Sequence, residues 1–228
     1  MIPLADANRV PIFPLTVYAL VVANVAVFVR ELEAPDPDAF INSFALIPYD
    51  LTRGVQLPPP SPAPFLTLIT SQFLHAGFLH IFFNMLFLLV FGPAIEYLCG
   101  HWRFALFYLF CGVAGGLAQI VVGPGSHVPS IGASGAIAGV LGAYILRFPT
   151  NSVKTLTPIG CFPLLLRVQA ALVIGIWILV QFVHGIGSIS TKVLSEQGGG
   201  VAYFAHIGGF LAGVFSIGFF ERRGVCGG

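Results

Sequence analysis

The sequence predicts an all-α membrane protein: six transmembrane helices in one bundle, with a short, recessed fourth helix. Three observations predict it. Of 228 residues, 57% are hydrophobic and only 8% charged, against about 25% charged in soluble domains, and the mean hydropathy is +0.92. Six apolar stretches reach or approach the roughly 20 residues that a helix needs to cross a hydrocarbon core. Polar side chains inside those stretches are few and recur at one height. The length suits one domain over 1–228, with its core at about 12–220.

The first stretch, 12–30, opens near Pro11 without a small-residue cleavage site, so it reads as a retained span and not a removed signal. Residues 31–65 follow as a long outer loop holding most of the acids (Glu31, Glu33, Asp36, Asp38, Asp50) and a proline run at 58–60. Its apolar cluster, Phe40, Phe44, Leu46 and Ile47, predicts that it lies along the membrane interface. Spans at 72–98 and 103–122 come next. The fourth, 134–148, is too short to cross unaided, so the preceding segment 123–130 must dip into the protein. Irregular backbone at that depth is tolerated only where protein covers it or a wet cavity lies beside it. Spans at 165–186 and 202–220 complete the set, and no internal repeat is visible.

Lys and Arg counted on alternate sides place Arg9, Arg103, Arg147, Lys154, Arg167, Arg222 and Arg223 together, against Arg30, Arg53 and Lys192. The richer side is the inner one, so both termini are expected in the cytoplasm; the membrane expected is the bacterial plasma membrane, with an organelle membrane as the alternative. The loops 31–65, 123–133 and 187–201 then face outward. A net charge of +1 provides no basic surface for nucleic acid. Cys99, Cys111, Cys161 and Cys226 have no CxxC spacing, which argues against a disulfide framework or a zinc knuckle.

Helices rise about 1.5 Å per residue, so depth follows from the inner charged end of each span. Ser134 lies about 20 Å above Arg147, and His206 about 22 Å above Glu221. Asn84 and His80 lie about 18 and 24 Å above Glu96. Three spans with independent ends thus bring polar groups to one layer, where such groups are costly and usually functional.

The residue types suit acyl transfer. Serine is a weak nucleophile until a base takes its proton, and histidine is the usual base. Ser134 and His206 can meet if their helices touch, and both helices carry small residues for close approach: Gly135, Ala138, Gly139 and Gly142 on one, Gly208, Gly209, Ala212 and Gly213 on the other. No acid stands near His206 on its helix, which predicts a dyad. Ser134 begins a helix, so its backbone N–H is free to face a developing oxyanion. His80 and Asn84, four apart on one face, add side-chain donors. Gly132 allows a sharp turn with positive φ before the nucleophile.

Taken singly, each group fits ordinary packing: His80 and Asn84 as interhelical partners, His206 as a satisfied core histidine. Their combination at one depth points to hydrolysis. His75 reads as a supporting group at a helix start, and His101, His127 and His184 as interfacial residues at span ends. Gln119 and Gln181 read as interhelical bonds, Gln119 with a second possible use in holding water. Glu96 reads as an anchor for the inner end of its helix.

Four segments together resemble the rhomboid family of intramembrane serine proteases: His75-Ala-Gly-Phe-Leu-His80-Ile-Phe-Phe-Asn84, Gly92-Pro-Ala-Ile-Glu96-Tyr-Leu-Cys-Gly100, Gly132-Ala-Ser134-Gly135, and Ala205-His206-Ile-Gly-Gly209-Phe-Leu-Ala-Gly213. The resemblance covers about 12–220. It implies a six-helix fold, Ser134 as nucleophile, His206 as base, and an oxyanion hole of His80, Asn84 and the Ser134 N–H. It further implies substrates that are single-span membrane proteins, cut in the outer part of the span, with lipid as the surroundings and no metal or organic cofactor. The chain departs from the family pattern twice. Phe65-Leu66-Thr67-Leu68 stands where members often carry Trp-Arg. Ala138 stands where an aromatic residue often stacks on the histidine, which leaves the orientation of His206 to other neighbours. The rival reading is a non-catalytic binder of client spans; a channel or carrier fits less well, since no inverted repeat appears.

Overall fold

The computed structural model describes residues 1–7, 10–55, 61–159, 162–191 and 202–224. Arg9, Lys192, Cys161, Cys226, the proline run at 58–60 and most of the 187–201 loop lie outside the described residues. Along the chain come β1 (Ile2–Asp6), α1 (Leu15–Glu33), α2 (Pro37–Phe44), α3 (Pro48–Arg53) and α4 (Thr67–Thr70). Then follow α5 (Phe78–Cys99), α6 (His101–Val122), α7 (Ser134–Arg147), β2 (Ser152–Ile159), β3 (Phe162–Gln169), α8 (Ala170–Thr191) and α9 (Tyr203–Phe220). Single 3-10 turns at Pro64–Leu66 and Ser71–Phe73 flank α4.

Among the described residues, five helices are long and apolar enough to cross a membrane: α1, α5, α6, α8 and α9. The chain is an integral membrane protein. At 14 residues α7 is shorter, about 21 Å of helix against a hydrocarbon core of roughly 30 Å.

The expectation of a purely helical chain is corrected by a three-stranded antiparallel sheet in the order β1-β2-β3. Residues 165–169, read as the start of the fifth span, belong to β3, and the helix begins at Ala170. The reason is visible afterwards. Leu164, Leu166 and Val168 alternate with Leu165, Arg167 and Gln169, a period of two that suits a strand, and Lys154 sits opposite Arg167 in the register. Similarly, the span placed at 72–98 starts only at Phe78, because Ser71–Phe73 form a 3-10 turn. The stretch read as a loop at 31–65 holds the end of α1 and two short helices. Asp36 caps α2, accepting from the Ala39 N–H at 3.0 Å with Pro37 in the first turn, an arrangement favoured at helix starts.

Three helices pack backbone to backbone. A Cβ built on Gly209 or Gly213 of α9 would collide with the carbonyls of Gly135 and Gly139 of α7, and one on Gly142 with the carbonyl of Phe210. On α6, a Cβ on Gly115 would collide with the Ala205 carbonyl of α9, and one on Gly208 of α9 with the Ala118 side chain. Without Cβ atoms these helices approach closely, the use that membrane proteins make of small residues. At the far end of α7, Arg147 pairs with Glu221 at 2.8 Å, bringing the ends of α7 and α9 to one level. Aromatic side chains fill the space alongside, with Phe91, Phe104, Phe107, Tyr108 and Tyr144 fully buried.

Glu96, fully buried near the end of α5, accepts from the backbone N–H groups of Thr16 and Val17, both at 2.8 Å, and contacts His101 Nδ1. It satisfies two of the four donors that the start of α1 leaves open. The anchor expected at Glu96 therefore ties α1 to α5.

Candidate active site

Ser134 stands at the first position of α7, where its backbone N–H has no acceptor within the helix. The chain reaches it through Gly132, whose φ of +117° L side chains rarely adopt. That turn is held by the Gly132 N–H, which donates to the Ser71 carbonyl at 2.8 Å. The close packing of α7 on α9 sets Ser134 opposite His206, so that Oγ lies 2.6 Å from Nε2. The two side chains are 72 positions apart in sequence.

His206 is 7% exposed and its other ring nitrogen is also engaged: Nδ1 lies 2.8 Å from Oε1 of Gln181 on α8. A carbonyl oxygen only accepts, so with the amide in this orientation Nδ1 is the donor of the pair, and Nε2 is the nitrogen that faces the serine hydroxyl. Gln181, expected to bond between helices, does so to this ring. Trp177, one turn earlier on α8, places its ring centroid 5.6 Å from that of His206 with the planes 38° apart. Neither contact was assigned to the site from the sequence; the spacing Trp177–Gln181, four apart on a helix face, is the signal that points to them.

His80 comes from the first turn of α5. A Cβ on Gly132 would lie 2.8 Å from both Cε1 and Nε2 of its ring, so imidazole and turn are in contact. Its Nδ1 accepts from the Ala76 N–H at 3.3 Å, which leaves the proton on Nε2, the nitrogen that faces the turn before Ser134. Asn84, one turn on, donates Nδ2 to the His80 carbonyl at 3.1 Å and lies beside the same glycine, 3.8 Å from its Cβ position.

His75 stands behind this pair. Its backbone N–H donates to the Glu31 carboxylate at 3.1 Å, its Nδ1 to the Phe73 carbonyl at 3.2 Å, and its ring meets that of His80 edge-on at 5.0 Å. Burial, reinforced by the neighbouring His80, holds its pKa down to about 4, so the ring is neutral near pH 7. Gly135 tolerates a Cβ in ordinary contact with the Ala205 carbonyl at 3.5 Å; its own carbonyl is what Gly209 approaches. His101, His127 and His184 are engaged elsewhere, with Glu96, Tyr49 and Tyr203.

A cavity of about 20 Å³ opens beside Ser134, lined also by Ser71, Gln72, Ser130, Gly132 and Ala205 among others. That is room for one water molecule. Among the described residues, no group of three His, Cys, Asp or Glu is arranged to hold a metal ion.

Fold and site together define a membrane protein in which a serine and a histidine, on two glycine-packed helices, share a hydrogen bond. The Rhomboid domain family model matches residues 62–223, and the chain belongs to the rhomboid family. It is similar to the rhomboid protease GluP of Bacillus subtilis, 34% identical over 149 residues, 65% of this chain and 25% of that protein. It is also similar to RHOMBOID-like protein 4 of Arabidopsis thaliana, 29% identical over 233 residues, 91% of this chain and 52% of that protein. A third relative is rhomboid-type serine protease 2 of Emericella nidulans, 38% identical over 90 residues, 38% of this chain and 17% of that protein. The chain spans about half the length of these relatives or less.

Proposed function

We propose that this chain is an intramembrane serine endopeptidase that cuts single-span membrane proteins in the outer part of their transmembrane helix. The observation that carries the reading is the 2.6 Å contact between Ser134 Oγ and His206 Nε2. Such a contact on a lone-pair nitrogen is the arrangement that activates a hydroxyl.

In this reading α7 is the recessed fourth of six crossings in one domain, and both termini face the cytoplasm of a bacterial plasma membrane. A substrate helix enters from the lipid and unwinds locally, because a helical peptide hides its carbonyls in internal hydrogen bonds. Ser134 Oγ bonds to the exposed carbonyl carbon as His206 Nε2 takes its proton. The resulting oxyanion accepts hydrogen bonds from the Ser134 N–H, His80 Nε2–H and Asn84 Nδ2–H. The C–N bond then breaks, His206 returns the proton to the leaving amine, and an acyl-enzyme remains. A water from the adjoining cavity attacks the ester carbon as His206 takes its proton; the bond from that carbon to Ser134 Oγ breaks, and His206 returns the proton to Oγ, freeing Ser134 and the carboxylic acid product. No cofactor enters these steps.

The test is reconstitution in liposomes with a tagged single-span substrate. Cleavage that disappears in Ser134→Ala and in His206→Ala, with both variants folded, supports the protease. Capture of the substrate without cleavage by the unaltered protein would instead establish a client-binding role.

A further inference from the structure

The dyad proposed above works only if its histidine holds the right tautomer, and α7 and α9 leave that unsettled. Ala138, one turn after Ser134, is fully buried and offers no ring or hydrogen bond to His206. Among the described residues, no acid is a hydrogen-bond partner of His206. Two contacts to the imidazole come from α8: Gln181 Oε1 at 2.8 Å from Nδ1, and the Trp177 ring at 5.6 Å.

We infer that Gln181 is the positioning residue that selects the catalytic tautomer of His206, with the Trp177 ring holding the plane of the imidazole. This rests on the reading of Ser134 and His206 as nucleophile and base. An amide has an acceptor end and a donor end, and the choice between them is decisive here. With Oε1 toward the ring, Nδ1 is protonated and Nε2 is free to take the serine proton. With the amide reversed, Nδ1 would be the lone-pair nitrogen and Nε2 would carry a proton, leaving nothing to accept from Ser134. Gln181 is 8% exposed, so water competes poorly for either ring nitrogen. As a neutral group it orients the ring without adding a charge, unlike the carboxylate of a three-residue arrangement. Trp177 and Gln181 sit four apart, one turn along α8, so a single face of one helix supplies both restraints.

The experiment uses the full chain in liposomes with the tagged substrate. Gln181→Met keeps the length of the side chain and removes the acceptor. It is expected to lower kcat about 100-fold, the scale of a misplaced catalytic group, with KM within about twofold, and to slow fluorophosphonate labelling of Ser134 in parallel. Gln181→Glu, which keeps an acceptor oxygen, restores most of the rate. Nitrogen-15 spectra of His206 in a Ser134→Ala background report the proton directly: Nδ1 protonated with Gln181 present, a tautomer mixture with Gln181→Met. Unchanged kcat in Gln181→Met, or a lost rate with an unchanged tautomer, overturns the inference. Cleavage surviving in Ser134→Ala overturns the underlying dyad instead, so the two failures are distinct.

Discussion

Gly132 and His80 press against each other so closely that a methyl on the glycine would sit 2.8 Å from Cε1 and Nε2 of the imidazole. Local backbone and side-chain chemistry meet at this point. The φ of +117° at Gly132 turns the chain into α7, and the missing Cβ lets the protonated nitrogen of His80 approach the turn. Gly132→Ala is therefore expected to destabilise the protein by about 1–3 kcal/mol through the strained backbone. It should also lower kcat about 100-fold by displacing His80. Thermal unfolding in detergent and turnover in liposomes check the two halves separately.

His80→Ala and Asn84→Ala each remove a donor aimed at the proposed oxyanion. A fall in kcat of about 10²–10³-fold is expected for each, with KM little changed and Ser134 still present to react slowly with fluorophosphonate. Steady-state kinetics on the liposome substrate are the measurement. An effect confined to KM would mean that the two side chains bind substrate and do not stabilise the transition state.

The α7–α9 contact distinguishes two glycines that look alike in sequence. A Cβ at Gly213 collides with the Gly139 carbonyl, whereas one at Gly135 finds ordinary contact at 3.5 Å. Gly213→Ala should cost about 1–3 kcal/mol by forcing the helices apart and reduce cleavage by widening the gap between Ser134 and His206. Gly135→Ala should stay within about 0.5 kcal/mol of the parent. Melting temperatures of the two variants, compared side by side, decide it.

Glu96 accepts from two backbone donors at the start of α1 while wholly buried. Glu96→Leu leaves those N–H groups without partners and is expected to cost about 3 kcal/mol or more. Glu96→Gln retains one acceptor oxygen and should lose roughly half as much. Proteolysis of α1 in detergent gives a second readout, since detachment of α1 would expose its ends to cleavage.

Much of the site was legible in the sequence because its constraints are local. Ser134 and His206 each carry a polar group within an apolar run, and lipid makes such groups costly enough to stand out. The small residues flanking them mark the faces that pack. Gln181 and Trp177 were not legible as site residues. A glutamine in an apolar helix signals only that it bonds to something, and its partner was decided by how α8 leans on α9. Ala138 showed that the histidine needed another neighbour without saying from which helix. The sheet escaped notice for a different reason. Residues 165–169 continue an apolar run into α8 without a break, and their pairing depends on residues 152–159 and, through those, on residues 2–6.

Residence in the membrane, the order of the long helices and the identity of the polar groups follow from the chain itself, since run length and the penalty for burying a dipole in hydrocarbon are read residue by residue. Only the tertiary structure decided that Ser134 and His206 touch, that an amide from α8 holds the second imidazole nitrogen, and that a strand pairing replaces the first turns of a span. Those outcomes depend on hydrogen-bond partners far apart in sequence, and such partners exist only once the helices have packed.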